Sequence, residues 1–581
     1  MYWDTAQPAP GATKATGQLK SIAHESPADT VTVAFGYDGP LLKSETWSGA
    51  VTGRVEHGYD NAFRETLERV QVGVAPAETS GFAYDHDGFL VREGPMRIVR
   101  RASDGQVQTT VVGQVASTSS YDASYAELTD LDYTVGGAAY YHEHLDHDAQ
   151  GRVSRVDETW PGVTTSRQYV YDDAGRLSRV LDGAGTQLRG YEYDGGVAGN
   201  GNRTETQGSS PATVLESATY DAQDRLTSRG DATYSWLPSG ELSQRNRPSE
   251  QFMTTYDALG NLLTAVRQPL VSGQATNPTQ TTTIGYAVDG ANRRVRRWVN
   301  DAPDRGWLYR DDLSVAAELN GDGTLKHRYL YGTLGHSPDL LMHGDTAYRV
   351  ITDHLGSVRA VVRTTDGVVV ERLDHDEWGV PTRDEGGTFQ SLGYAGGLMD
   401  RGTGFVRFGA RDYEPAAGRW TSKDPVGFRG QSANLYSYVE CDPLSGMDVG
   451  GPIRDSGAEP GRPGPDSRPG GLGTWTGPGW RNGSRGTEIG IYPYLPSHKG
   501  YVKPGNNTWD ECAREHDVAL MKAACIKDDR ERRLARQEAD IDFAACLMSV
   551  GHRNGDDMMN VIWWEAGAAF WFIRPNRISS G

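Results

Sequence analysis

A short polar stretch near the carboxyl end of the chain has the residue types and spacing needed for hydrolysis. Thr508 and Glu511 have the spacing of a capping box, so the sequence predicts a helix that begins at Thr508. On that helix Cys512 and His516 share a face because they are four residues apart, whereas the adjacent Asp517 points in a different direction. We therefore expect the imidazole and the neighbouring carboxylate to perform separate tasks.

A second predicted helix, which runs from Glu531 to about Val550, supplies a partner for the histidine. It carries Asp540 and Cys546. If this helix folds back against the first one, it brings Asp540 against His516. A His-Asp dipeptide alone is more often a solvated surface feature, so a catalytic interpretation depends on the second helix.

The run from Tyr494 to Val550 resembles phospholipase A2. Members of that family carry Asp-x-Cys-x-x-x-His-Asp on one helix, an Asp on an antiparallel helix and a glycine-bearing calcium loop before the first helix. The matching positions are Asp510, Cys512, His516, Asp517 and Asp540, and the loop is Tyr494-Leu-Pro-Ser-His-Lys-Gly500. The sparse cysteines make the stretch more similar to the short viral and bacterial members than to the secreted venom type. Two positions depart from the family: Leu520 replaces a frequent Tyr, and Gly500 is the one glycine left in the loop.

The resemblance implies a calcium-dependent ester hydrolysis. His516 would be the general base on a water molecule, a usual role for a group that titrates near neutrality, and Asp540 would hold the other ring nitrogen. Asp517 would ligate Ca²⁺, and the ion would polarise the ester carbonyl. The resemblance also implies further calcium ligands and one disulfide: the backbone carbonyls near Pro496, His498 and Gly500, and the pair Cys512 and Cys546.

The composition indicates several domains that are rich in short strands. Among 581 residues there are 72 glycines and 28 tyrosines, and only 37% of residues are hydrophobic, which suits many strands joined by glycine turns. A net charge of −19 argues against nonspecific nucleic-acid binding, so we expect no nucleic-acid partner. No apolar run is long enough to span a bilayer, and the start Met1-Tyr-Trp-Asp lacks the features of a signal peptide.

From the start to about residue 310 the chain repeats one pattern: Tyr-Asp, a few small or polar residues, Gly or a substitute, Arg or Asn, then Leu. Each copy predicts a strand, an Asp/Gly turn and a second strand, with the tyrosines as packing residues. The clearest copies are Tyr171-Asp-Asp-Ala-Gly-Arg-Leu177, Tyr220-Asp-Ala-Gln-Asp-Arg-Leu226 and Tyr256-Asp-Ala-Leu-Gly-Asn-Leu262, with variants at Tyr84, Leu145, Tyr37 and Tyr193.

These copies resemble the YD repeats of Rhs proteins, and the following region resembles the Rhs core. The matching core motifs are Asp353-His-Leu-Gly-Ser-Val-Arg359, Arg411-Asp-Tyr-Glu-Pro415, Gly418-Arg419-Trp420, Asp424-Pro-Val-Gly427 and Asn434-Leu-Tyr-Ser-Tyr438. The resemblance implies a strip of β-sheet that spirals into a hollow shell around a C-terminal domain. The expected fold is therefore a β-rich shell plus a small α-helical domain with two antiparallel catalytic helices.

The Rhs core often ends in a self-cleavage site made of an arginine and two aspartates, with the cut just past the second aspartate. By position these residues are Arg411, Asp424 and Asp448. A carboxylate pair suits this task because one group can hold a proton while the other activates water. The alternative is that both aspartates only cap turns. The core ends here in Asp448-Val-Gly-Gly-Pro452, which lacks the usual Pro and Leu of this motif.

The sequence thus predicts four segments: a YD-repeat shell (1–310), an Rhs core (311–452), a Pro/Gly-rich linker (453–480) and a phospholipase A2-like toxin domain (481–581). The Rhs resemblance implies an antibacterial effector without a signal peptide that is made in the bacterial cytoplasm and delivered into a target cell, for example by type VI secretion. It also implies a cognate immunity protein and a secretion spike or chaperone, while phospholipid membrane would be the substrate. Two alternatives stay open: the same shell with a metal-dependent nuclease, and a structural or adhesive repeat protein with an inert tail.

Overall fold

The computed structural model describes residues 2–3, 19–25, 30–196, 199–209, 213–271, 274–275, 280–430, 432–448 and 450. The chain divides into two units, Met1–Trp480 and Arg481–Gly581, and every described residue belongs to the first. The predicted linker (453–480), the two predicted helices, the His516–Asp540 pair, the calcium loop and the Cys512–Cys546 disulfide all lie outside the described residues. These features therefore stay predictions.

The first unit is built on one antiparallel sheet of 35 strands. Each strand pairs with the next along the chain, except that the two-residue β25 pairs with the end of β24, which also pairs with β26. In chain order, β1 to β35 are Tyr2–Trp3, Leu19–Glu25, Thr30–Asp38, Leu41–Gly49, Gly53–Tyr59, Glu65–Val72, Glu78–Tyr84, Leu90–Glu93, Met96–Arg100, Val107–Val112, Val115–Tyr121, Leu128–Val135, Ala138–His147, Val153–Trp160, Val163–Tyr171, Leu177–Asp182, Gln187–Tyr193, Arg203–Gln207, Val214–Tyr220, Leu226–Arg229, Ala232–Trp236, Leu242–Arg247, Glu250–Tyr256, Leu262–Val271, Gln274–Ala275, Thr282–Val288, Arg294–Val299, Ala302–Tyr309, Val315–Asn320, Leu325–Leu330, Leu340–His343, Thr346–Thr352, Val358–Arg363, Val369–His375 and Pro381–Glu385. The prediction of a β-rich, repeat-built sheet is confirmed.

The strands form because apolar and polar residues alternate, so that one face of the sheet can be buried. Strand β5 is representative: Val55 and His57 are buried, whereas Arg54 and Glu56 on the opposite face are half-buried. The sheet is not interrupted at the predicted shell–core boundary of 310/311, since β28 pairs with β29 across it.

The second half of the sheet packs against the first half. Residues 211 to 251 apart in sequence hydrogen-bond to each other. From His24 to Gln114 these contacts follow the same order along both segments. The approach is close: a Cβ added to Gly53 would lie 2.3 Å from the Leu308 side chain. The contacts join His24 to Asp257, Trp47 to Asp289, Glu65 to Arg310, Glu78 to Arg328, Gln114 to Thr365 and Glu143 to His354.

After β35 the chain forms a small four-stranded sheet and three 3₁₀ turns. Strands β36 to β39 are Leu398–Asp400, Phe405–Phe408, Arg411–Glu414 and Arg419–Trp420, and the turns are Tyr394–Gly396, Gly427–Gly430 and Val439–Cys441. An aromatic cluster formed by Phe408, Tyr413, Trp420 and Tyr438 packs the small sheet into the main core. Among the described residues, no helix has the length and apolar character required to cross a membrane.

Candidate functional site

The repeated Tyr-Asp motif closes a turn of one fixed geometry. In the copy that begins at Tyr171, the Asp172 carboxylate accepts hydrogen bonds from the backbone N–H groups of Ala174 (3.0 Å) and Arg176 (2.9 Å). Its second oxygen accepts the Arg176 side chain at 2.7 Å. Gly175 between them has a φ of +86°, which L side chains adopt only with strain. The motif therefore stabilises a turn and leaves no free carboxylate oxygen for chemistry.

In several copies the tyrosine links its own hairpin to the preceding one. The Tyr171 hydroxyl donates to the backbone carbonyl of Val153 at 2.6 Å, and the Arg152 guanidinium lies 4.3 Å from the centre of the Tyr171 ring. The same arrangement joins Tyr193 to Leu177 and Arg176. These tyrosines are packing residues, as the sequence predicted.

Several further copies carry the same turn although the sequence pattern did not reveal them. At Asp60 and Asp289 the glycine is replaced by Phe63 (φ +61°) and Asn292 (φ +63°), and each aspartate still accepts two backbone N–H groups. The core motif that begins at Asp353 is also such a turn, because this carboxylate accepts the N–H groups of Leu355 and Ser357. The spacing Asp-x-x-x-(Arg/Ser) is the signal that could have identified them.

His354 connects the core motif to the segment that leads into the predicted cleavage site. Its backbone N–H and its ring Nδ1 both bond to the Glu143 carboxylate at 2.8 Å. Its ring Nε2 lies 3.0 Å from the Leu444 carbonyl oxygen. Burial disfavours a charge on this ring, but Glu143 outweighs the burial and raises the pKa of His354 to about 9. The ring therefore donates two hydrogen bonds as an imidazolium.

The three predicted self-cleavage residues meet in the structure. One terminal nitrogen of the Arg411 guanidinium, Nη2, lies 2.9 Å from an Asp448 oxygen and 3.4 Å from an Asp424 oxygen. Both carboxylates thus contact a single nitrogen atom. This arrangement brings together side chains from β38, from the loop after β39 and from the end of the described chain.

Arg411 is held rigidly between the two carboxylates and an aromatic ring. The residue is 3% exposed, and its guanidinium carbon lies 3.9 Å from the centre of the Trp420 ring. Burial lowers the pKa of Arg411, while Asp448 and Asp424 counteract this effect. A stacked and paired guanidinium of this kind fixes the position of both carboxylates.

The two aspartates differ in their surroundings. Asp424 uses one oxygen to accept the N–H of Val426 at 2.9 Å, so it caps a turn and also faces Arg411. Although the Asp448 side chain is 33% exposed, burial raises its pKa, Arg411 opposes the rise, and the Asp424 carboxylate adds to it. A raised pKa favours the protonated acid at Asp448.

Gly450 makes a close backbone contact with the loop between β37 and β38. The Ala410 N–H donates to the Gly450 carbonyl at 3.4 Å. Gly409, with a φ of +46°, lies so near that an added Cβ would be 1.9 Å from that carbonyl oxygen.

Comparison with known proteins extends this picture. The Teneurin YD-shell family model matches residues 12–443. Human Teneurin-4 is 27% identical over 446 residues, which is 74% of this chain and 15% of Teneurin-4. The tRNA nuclease WapA from Bacillus subtilis (strain 168) is 28% identical over 291 residues, or 48% of this chain and 12% of WapA. The chain thus spans about 15% of the length of this Teneurin relative.

Among solved structures, the crystal structure of TcdB2-TccC3 is similar to 75% of this chain and 24% of that chain, with a TM-score of 0.49 and 16% sequence identity. The family model covers most of the chain, including the Tyr-Asp turns and the core motifs. The protein therefore belongs to the Teneurin YD-shell family.

Proposed function

We propose that the chain is an Rhs-type antibacterial effector whose YD shell carries a C-terminal toxin domain and cuts itself just after Asp448. The observation that carries the proposal is the contact of one Arg411 nitrogen with both Asp424 and Asp448. Two carboxylates close enough to share a cation are close enough for one to hold a proton while the other takes one from water. The cut would separate shell and toxin.

The proposed step is hydrolysis of the peptide bond between Asp448 and Val449. Asp424 accepts a proton from a water molecule, whose oxygen attacks the Asp448 carbonyl carbon. Asp448 donates a proton to the departing backbone nitrogen, and burial, which raises the pKa of this carboxyl, favours the protonated form that the role needs. The products are a new carboxyl group on Asp448 and a free amine on Val449, and no further reactant is needed. Arg411 keeps both carboxylates in position.

Turn capping, the alternative role of these aspartates, accounts for only part of the geometry. Asp424 does cap a turn through its bond to the Val426 N–H, but a cap requires one oxygen only. The other oxygen faces Arg411, and a buried guanidinium between two carboxylates is not needed for a surface turn. This second contact favours the cleavage proposal.

For the toxin itself we propose a phospholipase A2-like domain at 481–581, supported by the spacing of the residues around His516 and by Asp540. His516 would take a proton from water, and Asp540 would orient its ring. The donor set suits calcium, since Asp517 and the carbonyls near Pro496, His498 and Gly500 are oxygen ligands. Bound calcium would supply polarisation of the ester carbonyl.

This function implies partners and a site of action. The substrate would be a phospholipid membrane, and an immunity protein would protect the producing cell. A secretion spike or chaperone would deliver the chain into a target cell. Cytosolic calcium is too low to fill a site of micromolar or weaker affinity, so such a site would keep the toxin inactive before delivery.

A nuclease toxin is the second candidate, and one observation favours it: a relative that matches 48% of this chain is named a tRNA nuclease. A nuclease would cleave tRNA or plasmid DNA and would leave vesicles intact. A structural or adhesive role with an inert tail would leave both substrates unchanged.

The first experiment is intact-mass analysis of the purified full chain. We expect wild type to give fragments 1–448 and 449–581, and Asp448→Asn and Asp424→Asn to stay whole. Asp366→Asn is the matched control, because Asp366 is an exposed turn residue paired with Arg363, and it should be cut like wild type. An uncut wild-type chain, or cutting in Asp448→Asn, would refute self-cleavage.

The second experiment measures fatty-acid release from mixed phospholipid vesicles by the full chain with and without calcium. Release that requires calcium and disappears in His516→Ala would support the phospholipase proposal. Degradation of tRNA or DNA without lipid release would favour the nuclease, and no activity on either substrate would favour the inert tail.

A further inference from the structure

A buried group of metal-ligating side chains lies on β5 and β6, far in sequence from the cleavage site. His57 and Glu68 are direct cross-strand partners, and Glu65 pairs with Tyr59 in the same ladder. One ligand atom from each of His57, Glu65 and Glu68 can be chosen so that all three lie within 4.8 Å of one another. Two ligands on opposite sides of one cation are separated by about 4 to 5 Å, so these side chains span the size of a single ion.

These side chains are buried to a degree that is unusual for carboxylates. Glu68 is 0% exposed and His57 is 6% exposed, and the Glu65 side chain is 11% exposed. Carboxylates are almost never fully buried unless a cation or hydrogen bonds compensate them. The cations and hydrogen-bond donors that the protein places beside Glu65 and Glu68 therefore decide whether their buried charges are compensated.

Arg310 and Arg328 are the arginines next to this group. Arg310 contacts Glu65 at 2.8 Å, Glu68 at 3.3 Å and Glu93 at 4.0 Å, so one positive charge faces three carboxylates. Arg328 is committed to Glu78 at 2.8 Å. Glu65 and Glu68 therefore share one guanidinium with Glu93.

Within this group of side chains, the Glu68 carboxylate is short of hydrogen-bond donors. Among the described residues, neither of its carboxylate oxygens accepts a hydrogen bond, and its one close polar contact is the 3.3 Å approach of Arg310 Nε. His57 lies 2.5 Å from Glu65, and this contact gives neither Glu68 oxygen a donor. A fully buried carboxylate whose oxygens accept no hydrogen bond requires another partner.

We propose that His57, Glu65 and Glu68 bind one divalent transition-metal cation of the zinc class. Mixed imidazole and carboxylate ligands suit Zn²⁺ better than the all-oxygen sets of Ca²⁺ or Mg²⁺. The cation would replace the contact between His57 Nδ1 and Glu65, and Glu65 would keep its other oxygen on Arg310. The Glu68 carboxylate would gain a ligand bond in addition to its contact with Arg310.

The site has a structural consequence that is independent of self-cleavage and of the toxin. Arg310 follows β28, 245 residues after Glu65, so the cation would consolidate the contact between the first and second halves of the sheet. Binding to the folded chain alone stabilises it by mass action, which predicts that zinc raises the thermal midpoint of unfolding.

The test begins with the full chain stripped with a chelator and then titrated with Zn²⁺, Mn²⁺ and Ca²⁺. We expect Zn²⁺ to bind with the highest affinity at this site and to raise the unfolding midpoint by several degrees. Glu68→Gln should bind one zinc fewer per chain and lose most of that rise. Glu78→Gln is the matched control, because Glu78 lies on the neighbouring strand outside the ligand set, and it should bind as wild type does.

A crystal of the wild-type chain soaked in zinc and measured at the zinc absorption edge gives an answer even if Glu68→Gln does not fold. An anomalous peak within bonding distance of His57, Glu65 and Glu68 would establish the site. Full occupancy of zinc elsewhere with no peak here, or unchanged zinc binding by a folded Glu68→Gln, would overturn the proposal.

Discussion

The Tyr171 hydroxyl lies 2.6 Å from the backbone carbonyl oxygen of Val153, the residue that follows the arginine of the preceding turn. Arg152 covers the same tyrosine ring at 4.3 Å. One tyrosine therefore connects two consecutive hairpins by a hydrogen bond at its tip and by ring stacking at its face. This link explains why the repeat retains Tyr rather than Phe before the turn aspartate.

Replacement of Tyr171 by Phe should destabilise the shell by about 1 kcal/mol, because the buried hydrogen bond to Val153 is lost while the ring stays. Urea unfolding of the full chain, followed by tryptophan fluorescence, measures the change. Tyr125→Phe is the control, since Tyr125 is 82% exposed, and it should leave the midpoint unchanged. Equal effects at both positions would contradict the linking role.

The loss of stability caused by substitutions at Gly175 should depend on backbone strain and not on side-chain size. Gly175 has a φ of +86°, and a Cβ there would meet nothing closer than 3.7 Å. We expect Gly175→Asn to cost a few tenths of a kcal/mol, because Asn tolerates this conformation, and Gly175→Val to cost about 1–2 kcal/mol. Thermal unfolding of both variants tests the order.

Gly81→Ala serves as the comparison for that series. Gly81 lies in β7, and its φ is outside the left-handed region. The heavy atom nearest to an added Cβ would be 3.9 Å away. Alanine should therefore be neutral or slightly stabilising there. A large loss at Gly81, or a tolerated valine at Gly175, would argue against the strain explanation.

The sequence was sufficient for the local hairpins but not for their long-range contacts. The turns at Asp172 and Asp257 could be predicted because Gly stands at the strained position, whereas Phe63 and Asn292 conceal the same turn at other copies. Alternation of residues shows which face is buried, but not which distant strand covers it. The contact between Trp47 and Asp289 therefore needed the structure.

The stability contributed by His354 should decline as the pH rises. Its folded-state pKa is raised to about 9 by Glu143, above the unfolded value of about 6.5. The contribution is complete below pH 6.5 and is lost as the pH approaches and passes 9, and it amounts to about 3 kcal/mol. Unfolding free energies from pH 6 to 9.5, wild type minus His354→Gln, measure it.

The difference between the two proteins is the relevant quantity because other buried groups titrate in the same range, such as Glu371, whose pKa burial raises to about 8. Those groups are shared and cancel. A difference that stays constant from pH 6 to 9.5 would show that His354 is not charged in the folded chain.

Arg411→Lys should slow self-cleavage at least about tenfold even though the charge is retained. A lysine ammonium is a point charge without the planar guanidinium, which stacks on Trp420 and thereby places its Nη2 against both Asp424 and Asp448. A time course of fragment formation by denaturing gel measures the rate. Lys423→Arg, at a half-buried neighbouring position, is the control, and equal rates for Arg411→Lys and wild type would exclude a positioning role for the guanidinium.

The candidate sites differ in how far the sequence could identify them. Arg411, Asp424 and Asp448 were predicted from motif resemblance, and the structure places them together, although their cleavage activity stays a proposal. His57, Glu65 and Glu68 were not predicted, because they form no motif and meet only through the pairing of β5 with β6. Such a group arises from the register between two strands. Residue spacing along the sequence does not show that register.

The links between consecutive hairpins also impose an order on folding. Tyrosines such as Tyr171, Tyr193 and Tyr220 bond back to a segment that has been synthesised earlier, so the sheet can lengthen strand by strand during synthesis. The contact between Trp47 and Asp289 closes a loop of 242 residues and must wait until about half of the 581 residues have been made. Early strands therefore remain uncovered for a long interval, in which a nascent chain needs protection from aggregation.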